Sequence, residues 1–257
     1  MSYGRDMRCA PPPLFSEACL FLDVDGTLLD ITPTPFETRV DERLRELLAA
    51  VSLRLAGALA LVSGRSLAQL DALFAPLKLP AAGLHGLERR NARGDERRVR
   101  SADPTLEPVR TSLARFVAAH PGTLLEDKGA SLALHFRLAP QFASLARAAA
   151  SLERARLGSG FCLQEGKCVV EIRPSGVSKS SAIQEFLREP PFAGRRPVFA
   201  GDDLTDEGAL GMVRTEGGVA IAVGDRIDGP YYFENPAALR NWLRRFTAAP
   251  QASQSRV

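Results

Sequence analysis

Asp23 and Asp25 close the apolar run Leu20-Phe-Leu-Asp-Val-Asp-Gly-Thr-Leu28, two residues apart and just before Gly26. Side chains at i and i+2 of a strand leave the same face, so both carboxylates emerge side by side at the strand end. Gly26 lets the chain turn sharply there. Two carboxylates at one strand tip repel each other unless they share a cation or a proton. Three more polar signatures occupy similar places. Ser63-Gly64-Arg65 follows Leu59-Ala-Leu-Val62, and Gly201-Asp202-Asp203-Leu-Thr-Asp206-Glu207 follows Val198-Phe-Ala200. Lys179 opens a helical stretch. Singly, each has a plain structural role: turn, helix cap or solvated lysine. Together they supply what phosphate-ester chemistry needs: a nucleophile, an acid–base, donors to phosphoryl oxygens and oxygen ligands for a hard cation.

The elements that must carry these groups alternate. Strands are predicted at 19–24, 58–62, 81–84, 197–200 and 218–223, and helices at 41–50, 66–74, 178–187 and 206–213. Val40, Leu44, Leu47, Leu48 and Val51 fall at helical spacing, and Ser66 suits a helix N-cap. Such alternation specifies an α/β fold with a parallel sheet and helices on both faces. In such sheets ligands bind beyond the carboxyl ends of the strands. Between 100 and 175 the pattern changes to helix, hairpin, helix, hairpin. Helices are expected at 105–119 and 142–154, and hairpins at 123–136 and 161–172, the second turning at Glu165-Gly166. The organisation expected is a core of 1–99 and 176–257, interrupted by an inserted α+β cap at 100–175. The tail after about Ala248 is expected to fray.

Composition bounds the remaining classes. The chain has 257 residues, and its 45% hydrophobic content supports a sizeable core. The net charge of +3 is nearly balanced, and the arginines of 89–100 are interleaved with Glu88, Asp95 and Glu96. That stretch reads as a solvated loop or hairpin, so no nucleic-acid partner is expected. No apolar run reaches membrane-spanning length, and the N-terminus, with Asp6, Arg8 and three prolines, does not look like a signal peptide. The four cysteines lack metal-binding spacing. A hairpin turning at Glu165-Gly166 would place Cys162 and Cys168 face to face, but free thiols are expected in a cytoplasmic protein.

The Asp23-x-Asp25-Gly-Thr segment resembles the first signature of the haloacid dehalogenase-like phosphatases, and the later motifs follow in that superfamily's order. More specific stretches resemble the trehalose-6-phosphate phosphatases. These are Val62-Ser-Gly-Arg65, Gly83-Leu-His85-Gly-Leu-Glu88, Glu126-Asp-Lys128-Gly129, Leu134-His-Phe-Arg137, Gly166-Lys-Cys-Val-Val-Glu171-Ile-Arg-Pro174 and Gly201-Asp-Asp-Leu-Thr-Asp-Glu207. The resemblance runs from about Cys19 to Gly224. It implies a Mg²⁺-dependent hydrolase acting on trehalose 6-phosphate through an aspartyl-phosphate. Asp23 would be the nucleophile and Asp25 the general acid and base. Ser63 and Lys179 would meet the phosphate. Asp23, Asp25 through its carbonyl, Asp202 and Asp206 form the metal set, with Asp203 as nearby support. Gly64, Arg65, His85, Glu88, Lys128, Arg137 and Glu171 would contact substrate. Ser180 stands where many members of the family have glycine, and the Leu84-His85 pair also departs from the pattern. With no synthase domain attached, a stand-alone phosphatase is expected, coupled functionally to a separate synthase. The rival readings are a phosphatase for another sugar phosphate and a non-catalytic subunit that binds one.

Overall fold

The computed structural model describes residues 9–32, 38–98 and 104–249. The crossing predicted near Arg100, residues Asp6 and Arg8, and the tail beyond Ala249 lie outside the described residues. In chain order the first elements are β1 (Ala18–Leu22), α1 (Glu42–Arg54), β2 (Leu59–Val62), α2 (Leu67–Phe74), β3 (Ala81–Gly83), β4 (Glu88–Arg90) and β5 (Glu96–Arg98). Next come α3 (Leu106–Ala119), β6 (Leu124–Asp127), β7 (Leu132–His135), α4 (Ala143–Leu157), β8 (Phe161–Gly166) and β9 (Val169–Pro174). The chain finishes with α5 (Lys179–Phe186), β10 (Arg196–Gly201), α6 (Glu207–Thr215), β11 (Val219–Val223), β12 (Tyr231–Phe233) and α7 (Pro236–Ala248).

Local sequence explains the helix starts. Asp41 caps α1 by accepting from the Leu44 amide. Ser66 and Gln69 form a reciprocal capping box on α2, and Ser178 and Ser181 do the same on α5. Among the described residues one sheet has the order β12-β11-β10-β1-β2-β3-β4-β5, parallel from β12 to β3 and antiparallel thereafter. The wholly buried β1 lies between β10 and β2. From β1 the chain first builds the sheet outward through β2 and β3, and later through β10 and β11, so β1 marks the place where strand order reverses. The charged segment of 89–98 forms the β4–β5 hairpin edge.

A second sheet, β6-β7-β9-β8, is antiparallel throughout. It packs against α3 and α4 through its own apolar cluster, including Leu113, Leu134, Ala150, Val170 and Ile172. Strand alternation sends Glu126, His135 and Glu171 to the opposite face. The β8–β9 turn falls at Lys167-Cys168, two residues beyond the predicted Glu165-Gly166, and Cys168 adopts φ 59°. Cys162 therefore pairs with Arg173, not with Cys168 across the hairpin, and all four cysteines are free.

Helix α5 is held to β1 by aromatic packing. Phe186 lies 5.9 Å from Phe21 and 4.9 Å from Phe192, ring centre to ring centre. Phe186→Ala is expected to lower stability by about 3–5 kcal/mol, read from the urea midpoint. A loss below about 1 kcal/mol would show that the site collapses around the gap and that the cluster does not anchor the helix.

At the sheet's other end, the backbone of Cys9 bridges the outer side of β12: its amide meets the Pro230 carbonyl and its carbonyl accepts from the Tyr232 amide.

Candidate active site

Asp23 continues β1, its amide bonded to the Ala200 carbonyl of β10. Asp202 and Asp206 lie beyond the end of β10, and Lys179 is the first residue of α5. These four side chains meet. The Lys179 ammonium donates to Asp23 Oδ1 and to Asp206 Oδ1, each at 2.7 Å. Asp206 Oδ2 accepts from the amides of Asp202 and Asp203, both at 3.1 Å. The Thr27 hydroxyl donates to Asp202 Oδ1 at 3.2 Å. Gly26, at φ 90°, lets the turn press against Asp202: a Cβ there would sit 2.1 Å from its Oδ2.

Asp23, Asp202 and Asp206 are buried and bring carboxylate oxygens within 4.8 Å of one another. Burial raises Asp23 well above the usual carboxylate range, with Lys179 opposing and Asp206 and Asp202 adding to the rise. Burial, then Asp206, push Asp202 up to about 6. Burial disfavours the Lys179 ammonium, but Asp206 and Asp23 outweigh it and hold its pKa above the ordinary value. Three carboxylates against one ammonium leave the cluster short of positive charge, and oxygen-only donors suit a hard divalent cation.

The side chain of Asp25 stands apart from that cluster. Arg65 holds it in a two-pronged grip, Nε to Oδ2 at 2.7 Å and Nη2 to Oδ1 at 2.6 Å. Asp206 lies in the carboxylate cluster, as its place in the metal set requires, and one of its oxygens also meets Lys179 while the other meets backbone amides. Ser63 is buried at the end of β2, with its hydroxyl oxygen accepting from the Arg65 amide at 3.2 Å.

A cleft of about 210 Å³ opens over these groups and is walled on its far side by the second sheet. Asp23, Asp25, Ser63, Gly64, Arg65, His85, Lys128, Arg137, Glu171, Lys179 and Asp202 all border it. Glu171 Oε1 accepts from Ser131 at 2.6 Å, and Oε2 accepts from Lys128 at 3.2 Å. Burial opposes this carboxylate, but Lys128, His85 and Ser131 outweigh it and hold its pKa down at about 2. Lys128 also reaches the Gly64 carbonyl at 3.5 Å. Gly64 must be bare, since a Cβ there would lie 2.8 Å from His85 Nε2. Arg137 donates to the Thr32 carbonyl at 2.7 Å.

Glu88 does not border the cleft. Antiparallel pairing of β4 with β3 carries it back towards α2, where its carboxylate accepts from the Leu67 amide at 2.7 Å. Glu126 and His135, quoted in the motifs but given no site role, form a cleft pair 2.9 Å apart. Arg226, which carried no sequence signal, also borders the cleft, its guanidinium ion-paired with Asp203 at 2.9 Å. Both members of the first pair were signalled by alternation on β6 and β7 once the hairpin was placed.

His85 gives a pH prediction. Burial lowers its pKa from the ordinary 6.5 to about 3, so the folded protein keeps it neutral. Below pH 6.5 the unfolded chain binds a proton that the fold refuses, so stability falls as pH drops. Between pH 6.5 and 4.5 the contribution approaches about 1.4 kcal/mol per pH unit. Urea unfolding at several pH values should show a flatter slope in His85→Gln than in the parent. Parallel slopes would count against a neutral His85.

A doubly wound sheet that delivers paired aspartates, a serine, a buried lysine and an acidic cluster past its carboxyl edge brings together the groups that phosphate-ester hydrolysis needs. The chain belongs to the trehalose-phosphatase family, whose profile matches residues 21–229. It is 39% identical over 241 residues to the trehalose-6-phosphate phosphatase of Escherichia coli strain K12, covering 93% of this chain and 90% of that protein. It is 43% identical over 223 residues to the probable trehalose-phosphate phosphatase of Sinorhizobium fredii, covering 86% and 83%. A solved structure described as a trehalose-6-phosphate phosphatase related protein superposes with a TM-score of 0.70 at 26% identity, covering 89% of this chain and 96% of that one.

Proposed function

We infer that this protein hydrolyses trehalose 6-phosphate to trehalose and inorganic phosphate. The observation that carries the reading is the family match, which spans both the carboxylate cluster and the sheet facing it. In the proposed reaction an oxygen of Asp23 attacks phosphorus, and the bond to the sugar O6 breaks. Asp25 delivers its proton to O6, and trehalose leaves an aspartyl-phosphate. Asp25 then takes a proton from water, whose oxygen attacks phosphorus. Phosphate departs and the Asp23 carboxylate is restored. Lys179 and Ser63 hold the phosphoryl oxygens, and Asp206 aims Lys179. Asp23, Asp202 and the carbonyl of Asp25 would hold Mg²⁺, which when bound neutralises charge on the phosphoryl oxygens.

Residues 100–175 are proposed to act as a cap over the core of 1–99 and 176–257, excluding water and presenting Lys128 and Glu171 to sugar hydroxyls. A buried, ionised carboxylate rejects an ester that fails to pair with it. Cytoplasmic location and functional coupling to a separate synthase are part of the proposal. Among the described residues no helix is long and apolar enough to cross a membrane.

The test is phosphate release from trehalose 6-phosphate, glucose 6-phosphate and sucrose 6-phosphate. Turnover of the trehalose ester well above the other two supports the reading. Preference for another ester keeps the chemistry and overturns the cap assignment. A folded protein inert on all three is a binding subunit.

A further inference from the structure

Arg137 follows β7 and reaches across to a core segment 105 residues away, donating Nη1 to the carbonyl of Thr32. The Thr32 hydroxyl lies 2.9 Å from that of Thr38. Thr38 in turn accepts from Arg65 Nη2 at 2.8 Å, and the same guanidinium grips both oxygens of Asp25. The segment that leaves β7 is thus joined to Asp25 by hydrogen bonds that meet in Thr32, at its backbone carbonyl on one side and its hydroxyl on the other. Lys128 adds a second point of attachment on the Gly64 carbonyl, one residue from Arg65. Thr38 is 5% exposed and does not border the cleft, so it has no access to a bound sugar.

We propose that Arg137 is a positioning residue for Asp25, acting through Thr32, Thr38 and Arg65. The inference rests on the hydrolase reading above and deepens it. With the second sheet seated, Arg137 fixes the Thr32–Thr38 contact, and Thr38 holds the Arg65 fork in the plane that aims the Asp25 carboxylate. Each carboxylate oxygen keeps a second lone pair for the sugar oxygen or for water. When the second sheet lifts, Thr32 loses its clasp and the fork loses its alignment. Acid–base chemistry is then coupled to a covered site, and an ester too small to seat the sheet is turned over slowly. Displacing a reacting group by an ångström costs roughly 10²-fold in rate.

The test compares kcat and KM on trehalose 6-phosphate for Arg137→Met, Thr38→Val and the double variant, with thermal midpoints as a folding check. Each single change should lower kcat by roughly 10- to 100-fold with KM within about threefold. The double variant should be no slower than the worse single, as residues in one network require. Arg137→Lys should recover most of kcat, because one N–H suffices for the Thr32 carbonyl. Thr38→Ser, which keeps the hydroxyl and loses only a methyl, should retain it. A rise in KM with kcat unchanged in Arg137→Met makes Arg137 a sugar ligand and overturns the proposal, as do losses that multiply in the double variant. If the parent prefers another ester, the same ratios are read on that ester, so failure of the substrate assignment leaves the relay measurable. A parent inert on every ester overturns both.

Discussion

Asp23→Asn should lower turnover of trehalose 6-phosphate by roughly 10⁴-fold or more while leaving the protein at least as stable. Removing a covalent nucleophile costs losses of this order. The amide has the shape of the carboxylate but cannot form the acyl phosphate. Its effect on folding has the opposite sign, because Asp23 is one of three buried carboxylates whose mutual repulsion and desolvation raise its pKa. Neutralising it removes repulsion, while its oxygen still accepts from Lys179. Phosphate release and thermal midpoint measured on one preparation separate the two effects. Turnover within tenfold of the parent would remove Asp23 from the nucleophile's role.

Chelation is the second large effect. Three buried carboxylates gathered round one ammonium leave the site short of positive charge. Activity should disappear in EDTA and return with Mg²⁺. Independently of activity, a cation that binds only the folded state raises the thermal midpoint with concentration. Asp202→Asn should raise the Mg²⁺ needed for half-maximal effect by at least about 100-fold, since even outer partners of a metal are worth 10- to 100-fold. A midpoint that ignores Mg²⁺ in the parent, or an Asp202→Asn variant with parent-like Mg²⁺ dependence, would mean that the cluster is not a cation site.

Asp23, Ser63 and Asp202 were legible as candidates because each sits where an apolar run stops, and a parallel sheet gathers such ends at one edge. Lys179 was placed instead as the first residue of a helix, and the roles proposed for all four rest on the family resemblance. Glu88 was misplaced because sequence proximity to His85 suggested a shared wall, whereas an antiparallel return at β4 sends it to cap α2. Arg137 was recognised by type, but a side chain's partner across 105 residues is not written in local spacing. The β8–β9 turn slipped by two residues because Gly166 signals a turn, while the positive φ is taken by Cys168. Strand β12 and helix α7 carried a usable signal that passed unread: Asn235-Pro236 is a helix start, and Leu239, Trp242, Leu243 and Phe246 form its buried face.

Among the described residues the large sheet ends differently on its two sides, and this bears on which edge can recruit another chain. An open strand edge is a template for another chain. At one end β5 reads Glu-Arg-Arg, a charged border that resists pairing. At the other, β12 reads Tyr-Tyr-Phe, a sequence well suited to recruiting a strand. The backbone of Cys9 already occupies part of that border. Trimming the chain through Cys9, as a shortened expression version would, uncovers an aromatic edge and invites self-association without touching a catalytic group.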